Sequence, residues 1–142
     1  MKNNTYTSFE NQKTLFSALL DASNKFGKQY KIIEDITYKS ISYKEIILQS
    51  ILLGIYLKKQ IGASKYIGIM LPNTIPLSIL FFSLQFIGRT PAMLNFTSGL
   101  FAIKRACQTA KIETIYTSKI FIKKAKLEDT IDELEKKYKI FY

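Results

Sequence analysis

Residues Leu84 to Gly99 read L-Q-F-I-G-R-T-P-A-M-L-N-F-T-S-G, and the changes of character along this stretch decide the fold. An apolar segment closes on Gly88, and Pro91 to Asn95 has the length and apolar content of a short buried strand. Thr97 or Ser98 then offers a hydroxyl cap for a helix running through Ala110. Toward the N-terminus, Tyr66 to Leu71 reads as another buried strand, Pro72 and Asn73 as a turn, and Pro76 to Ile87 as a helix. Pro76 suits the first helical turn, where its missing N–H costs nothing, and Thr74 is placed to cap it. Toward the C-terminus, Glu113 to Thr117 supplies a third buried strand. Strand and helix thus alternate from residue 66 onward, which implies parallel strands joined by right-handed crossovers with helices on both faces.

The flanking segments extend this plan into a three-layer α/β/α chain with a mostly parallel sheet plus a β-hairpin. Residues 1–13 are polar and uncapped, a loose leader. From Thr14, a potential cap, apolar residues Leu15, Leu19, Ala22 and Phe26 repeat at helical spacing until Gly27. Tyr30 to Ile33 and Tyr38 to Ser42, separated by E-D-I-T, read as the hairpin. A helix from Tyr43 to Lys59 is apolar around almost its whole circumference, leaving a thin polar stripe near Glu45 and Gln49, so near-complete enclosure is expected. A terminal helix carries Leu127, Ile131, Leu134 and Tyr138 on one face, with Glu128 and Asp129 in its first turn and Lys136 and Lys137 in its last. A strand begun at Lys139 has no following helix to return it to the sheet, and the expectation is a chain stopped within a larger domain.

Composition narrows the chemistry. The 142 residues carry a formal charge of +10, with 19 Lys and 2 Arg against 11 acidic residues. The lysines are spread from Lys2 to Lys139, and the Arg forks on which sequence-specific nucleic-acid readers lean are limited to Arg89 and Arg105. With 21 Ile beside them, the lysines read as compositional drift and no nucleic-acid partner is expected. Tyr66 to Gly88 is free of charge and long enough to cross a bilayer, but the Pro72, Asn73, Thr74, Pro76 cluster breaks it, so no transmembrane segment is expected. Cys107 is the only cysteine, which rules out an internal disulfide, and its helical spacing with Ile103 and Ala110 gives it a core role. The absence of His removes the usual general base and the commonest zinc ligand. Ser17, Ser98 and Ser118 therefore lack a base, and Glu128, Asp129, Asp132, Glu133 and Glu135 read as a solvated helix face. The first residues lack the apolar run of a signal peptide, and a cytoplasmic chain is expected.

Several segments, taken in order, resemble one family. T-L-F-S-A-L-L-D-A at 14–22, I-S-Y-K-E-I at 41–46, I-G-I-M-L-P-N at 67–73, the 84–99 stretch and A-C-Q-T-A-K-I-E-T-I-Y-T-S at 106–118 look like the opening of the adenylate-forming enzymes, the acyl-CoA synthetase and AMP-binding family. The wording G-R-T-P-A-M-L-N-F is similar to the acyl-acyl-carrier-protein synthetase half of bifunctional 2-acylglycerophosphoethanolamine acyltransferases. It departs from the wider family in placing Met93, not Pro, immediately before the hydrophobic residue and Asn95.

The resemblance implies that 14–142 is a partial N-terminal subdomain of an AMP-forming ligase. The complete enzyme would use ATP and Mg²⁺ to activate a fatty acid and pass the acyl group to acyl carrier protein or CoA. It would be peripheral to the inner membrane where the bifunctional enzyme is the context. The family's Ser/Thr/Gly-rich phosphate loop ending in Pro-Lys and its catalytic lysine lie downstream of the matched part. The nearest imitation, T-S-G-L-F-A-I-K at 97–104, lacks the second Gly and the Pro. No catalytic, cofactor-binding or metal residue is therefore expected in this chain, which would be inactive alone. The alternative is a non-enzymatic subunit or remnant that docks with a separately encoded remainder of the ligase.

Overall fold

The structure, a computed structural model, describes residues 13–142; the leader expected over 1–13 lies outside them except for Lys13. The elements in chain order are α1 (Leu15–Phe26), β1 (Lys31–Glu34), β2 (Ser40–Ser42), α2 (Tyr43–Ile61), β3 (Tyr66–Ile69), α3 (Ile75–Phe86), β4 (Thr90–Met93), α4 (Leu100–Thr109), β5 (Thr114–Tyr116), α5 (Lys119–Ala125), α6 (Glu128–Glu135) and β6 (Lys139–Phe141). Strands β4, β3, β5 and β6 lie side by side in that order, all parallel, while β1 and β2 form a separate antiparallel hairpin. The expected α/β class, parallel sheet and hairpin are all present.

Alternation along the strands sorts the core into two sides. Ile67 and Ile69 of β3 and Tyr116 of β5 face α2 and α3, where they pack with Leu57, Ile61, Leu77, Leu80 and Leu84. Ile115 and Met70 face the opposite way, onto Ile103 and Cys107 of α4, Ile122 of α5, and Ile131 and Leu134 of α6. The sheet is thus sandwiched between helical layers. A third cluster, Phe16, Leu19, Ile41 and Ile46, fastens α1 and the hairpin to the outer side of α2 and α3.

Local chemistry explains most boundaries. Thr14 Oγ1 accepts the Ser17 N–H at 3.1 Å to open α1. Ser42 opens α2 with a capping box, its hydroxyl oxygen accepting the Glu45 N–H while Glu45 Oε2 accepts the Ser42 N–H at 2.8 Å. Four expectations need correction. Thr74 stands at the N-cap of α3, but its hydroxyl donates instead to Pro72 O, and the Ile75 N–H is met at 3.4 Å by Asp35 Oδ2 from the hairpin. Neither Thr97 nor Ser98 caps α4; Gly99, at φ +82°, does so without a side chain. The single terminal helix is two, since α5 precedes α6, and α6 ends at Glu135, leaving Lys136 at its C-cap and Lys137 beyond it. Finally, α2 is covered on one side only. Leu48, Leu52, Ile55 and Tyr56 are all more than half exposed, because α1, α3 and the sheet reach only the side carrying Ile46, Ser50, Gly54, Leu57 and Ile61.

Candidate functional site

In an open parallel sheet, ligands bind beyond the carboxyl ends of the strands where successive connections leave in opposite directions. Here that point lies between β3 and β5. Strand β3 returns to β4 through α3 on one face, whereas β5 returns to β6 through α5 and α6 on the other. The loops meeting at this rim begin at Met70, Leu94 and Thr117.

The base of the rim is stitched closed. Thr117 Oγ1 donates to Met70 O at 2.7 Å in a fully buried contact, the Met70 N–H donates to Tyr116 O at 2.9 Å, and the Thr117 N–H donates to Phe141 O at 2.9 Å. On one flank, a hollow of about 280 Å³ is lined by Ile33, Glu34, Asp35, Asn73, Thr74, Leu77 and Ser78. Asp35 Oδ1 accepts both the Thr37 N–H (2.9 Å) and the Thr37 hydroxyl (2.6 Å), and these bonds hold its carboxyl below the usual carboxylate range. Asp35 is the rim group that sequence reasoning passed over. Its signal was the Asx-turn spacing of D-I-T within the hairpin connection.

The Asn95 loop forms the other flank. Asn95 Oδ1 accepts the Thr97 N–H at 3.0 Å and the Thr97 hydroxyl at 2.8 Å, and Ser98 Oγ donates to Asn95 O at 2.7 Å. Two groups that a phosphate cradle at 97–104 could use are engaged elsewhere: Thr97 N–H with Asn95, and Lys104 Nζ with Glu133 Oε2 at 3.1 Å. Phe101 projects into solvent from the first turn of α4. Binding a triphosphate through these two groups would require both to exchange their present partners. Among the described residues no group of three or more His, Cys, Asp or Glu side chains is arranged to hold a metal ion.

The remaining singled-out residues have structural surroundings. Cys107 is completely buried, and burial pushes its thiol up to about 11. In the acidic segment, Glu128, Asp129, Asp132 and Glu135 are exposed, while Glu133 pairs with Lys136 and Lys104, whose charges and hydrogen bonds lower its carboxyl. Phe86 stacks obliquely on Phe16 at 5.1 Å, and Phe81 meets Phe82 edge-on at 5.4 Å. Tyr116 lies flat against Phe141 at 5.0 Å; burial drives its hydroxyl to about 12, and that hydroxyl has no partner among the described residues.

No protein-family model matches the chain. Its fold recurs in solved structures. The complex of VinN with 3-methylaspartate superposes with a TM-score of 0.73 over 89% of this chain and 34% of that one, at 18% identity. The N-terminal subdomain of NpsA from Klebsiella oxytoca, in complex with 3-hydroxybenzoyl-AMSN, gives 0.65 over 73% of this chain and 26% of that one, at 20% identity. NpsA-ThdA, an artificially fused adenylation-PCP di-domain NRPS from Klebsiella oxytoca, gives 0.64 over 73% and 20%, at 20% identity. The chain therefore has the fold of part of an adenylation domain, and spans between 20% and 34% of these structures. Among the described residues no helix is long and apolar enough to cross a membrane.

Proposed function

We propose that residues 14–142 serve as the N-terminal part of an ATP-dependent, AMP-forming ligase that joins a fatty acid to the thiol of acyl carrier protein or CoA, and that these residues alone catalyse no ligation. The observation that carries the proposal is a fold matching VinN over 89% of this chain but only 34% of that one, combined with family-like segments in family order. G-R-T-P-A-M-L-N-F leads into and forms β4, and I-G-I lies on β3, so two of the resembling segments build adjacent strands of the sheet. Committed hydrogen bonds at 97–104 support the assignment of ATP and Mg²⁺ to groups outside this chain, and no catalytic, cofactor-binding or metal residue is assigned within it.

The test is ATP-pyrophosphate exchange with a panel of fatty acids. The purified chain is expected to give no fatty-acid-dependent exchange, and turnover by it would overturn the proposal. A second reading, a non-enzymatic subunit that docks with a separately encoded remainder, is favoured by one feature: among the described residues β4 and β6 each pair on one side only, leaving backbone groups on both outer edges of the sheet. Co-expression with a polypeptide carrying the phosphate loop and the lysine domain is then expected to restore exchange.

A further inference from the structure

We propose that the outer face of α1 and α2 docks on an anionic phospholipid bilayer. This goes beyond the ligase assignment and does not depend on it. Along α2, Lys44, Leu48, Leu52, Ile55 and Lys59 follow one another at helical spacing, so a stripe of apolar side chains is bracketed by two ammonium groups. Leu48, Leu52, Ile55 and the adjoining Tyr56 are between 52% and 59% exposed, a large apolar surface for a helix whose other side is fully packed. Beside the stripe runs a groove of about 380 Å³ between α1 and α2. It is lined by Leu20, Ile47, Leu48 and Ile51, with Lys28 and Lys44 among the polar residues and no acidic residue.

Charge selects the occupant. The one carboxylate on this face of α2, Glu45, is neutralised by Lys31 Nζ at 2.8 Å, which leaves Lys28, Lys44 and Lys59 without an ion-pair partner among the described residues. A second copy of the chain would set these lysines against one another. An extension of the sheet would join at the outer edges of β4 or β6, which are unpaired among the described residues, whereas this face belongs to the helical layer outside the sheet. An apolar stripe rimmed by lysines matches the boundary between acyl chains and anionic headgroups, where each Lys near the surface adds to binding and the apolar side chains enter the outer acyl region.

The chain contains no Trp, so a single introduced indole reports on its own position. Ile55→Trp places the reporter on the stripe, and Ile120→Trp places it on exposed α5, across the sheet. With vesicles of equal parts phosphatidylglycerol and phosphatidylcholine, I55W emission is expected to shift to the blue and I120W emission to stay unchanged. The I55W shift is expected to vanish in about 1 M NaCl, where the Debye length falls to roughly 3 Å, and with pure phosphatidylcholine. Leu52→Glu, at an exposed position that leaves the core intact, is expected to lower co-sedimentation with the anionic vesicles about tenfold or more, with unchanged circular dichroism. An unshifted I55W, equal shifts at both positions, binding indifferent to Leu52→Glu, or a concentration-dependent shift without vesicles, which would indicate self-association, would each overturn the proposal.

Discussion

Replacing Gly54 with Ala pits two effects of opposite sign against each other at the contact between α2 and α3. In an unhindered helix interior the change stabilises by about 1 kcal/mol, because Gly loses more backbone freedom on folding than Ala. In this structure, however, a Cβ at position 54 would lie 2.8 Å from Phe86 Cδ1, 3.0 Å from the Ser83 carbonyl oxygen and 3.3 Å from Ile87 Cγ2. The Phe86 ring is partly exposed and can swing away, but the Ser83 carbonyl belongs to the backbone of α3. Relief requires the two helices to separate, at a typical overpacking cost of about 1–3 kcal/mol. The opposed contributions leave Gly54→Ala less stable than the parent by about 1 kcal/mol. Gly54→Leu, which cannot be accommodated by a small separation, should lose more than about 3 kcal/mol or fail to fold. Urea denaturation followed by circular dichroism measures both, with Gln49→Ala on the exposed side of α2 as a control expected within about 0.5 kcal/mol of the parent. A G54A protein more stable than the parent by the full helix-propensity gain would show that the helices do not meet as closely as described.

Other consequences are equally direct. Thr117→Val keeps the shape of the side chain but removes the hydroxyl donor to Met70 O, and a buried carbonyl left unpaired should cost about 1–3 kcal/mol in the same denaturation experiment. Glu45 is held down to about 2 from an ordinary value of 4.5 by Lys31 and by its hydrogen bonds to Ser42. A depressed carboxyl stabilises the fold above its unfolded value and ceases to do so as pH falls through its folded one; the melting-temperature gap between parent and Glu45→Gln should therefore be full at neutral pH and close between pH 4.5 and about 2. Cys107, buried and with its thiol raised to about 11, should resist a thiol reagent at pH 8 in the native protein and react at once in denaturant.

The alternating portion of the fold was legible because its signals are local and redundant. Pro72, Pro76, Gly88 and Pro91 punctuate the chain where the backbone changes course, and short apolar runs between them have few alternatives to a buried strand. The observed strands fall within the expected ranges or one residue outside them. Helix α5 was missed for the converse reason: Lys119–Ala125 spans seven residues, too few for a periodic pattern to declare itself, although Ser118 caps it by accepting the Phe121 N–H. The caps of α3 and α4 were misassigned because a hydroxyl beside a helix start can bond elsewhere. Thr97 turned to Asn95, two residues before it, and Thr74 turned to Pro72.

The site and the outer surface depend on contacts that no local pattern encodes. Asp35 meets Ile75 across 40 residues and Thr117 meets Met70 across 47, so neither pairing can be read from spacing. Periodicity likewise tells which residues share a face of α2 but not which faces are covered. Enclosure was the natural inference from so apolar a helix, yet coverage depends on how many neighbours the topology supplies, and α1, α3 and the sheet leave one side open. The lysines show the same limit from the opposite direction. Dispersed along the chain they read as drift, but winding α2 into a helix places Lys44 and Lys59 at the two ends of one apolar stripe, and packing α1 beside α2 brings Lys28 to the groove that Lys44 also lines. Charge that has no pattern in sequence thus acquires one in space, and a surface that sets exposed leucine and isoleucine beside ammonium groups without an ion-pair partner among the described residues has the chemistry to recognise an anionic interface.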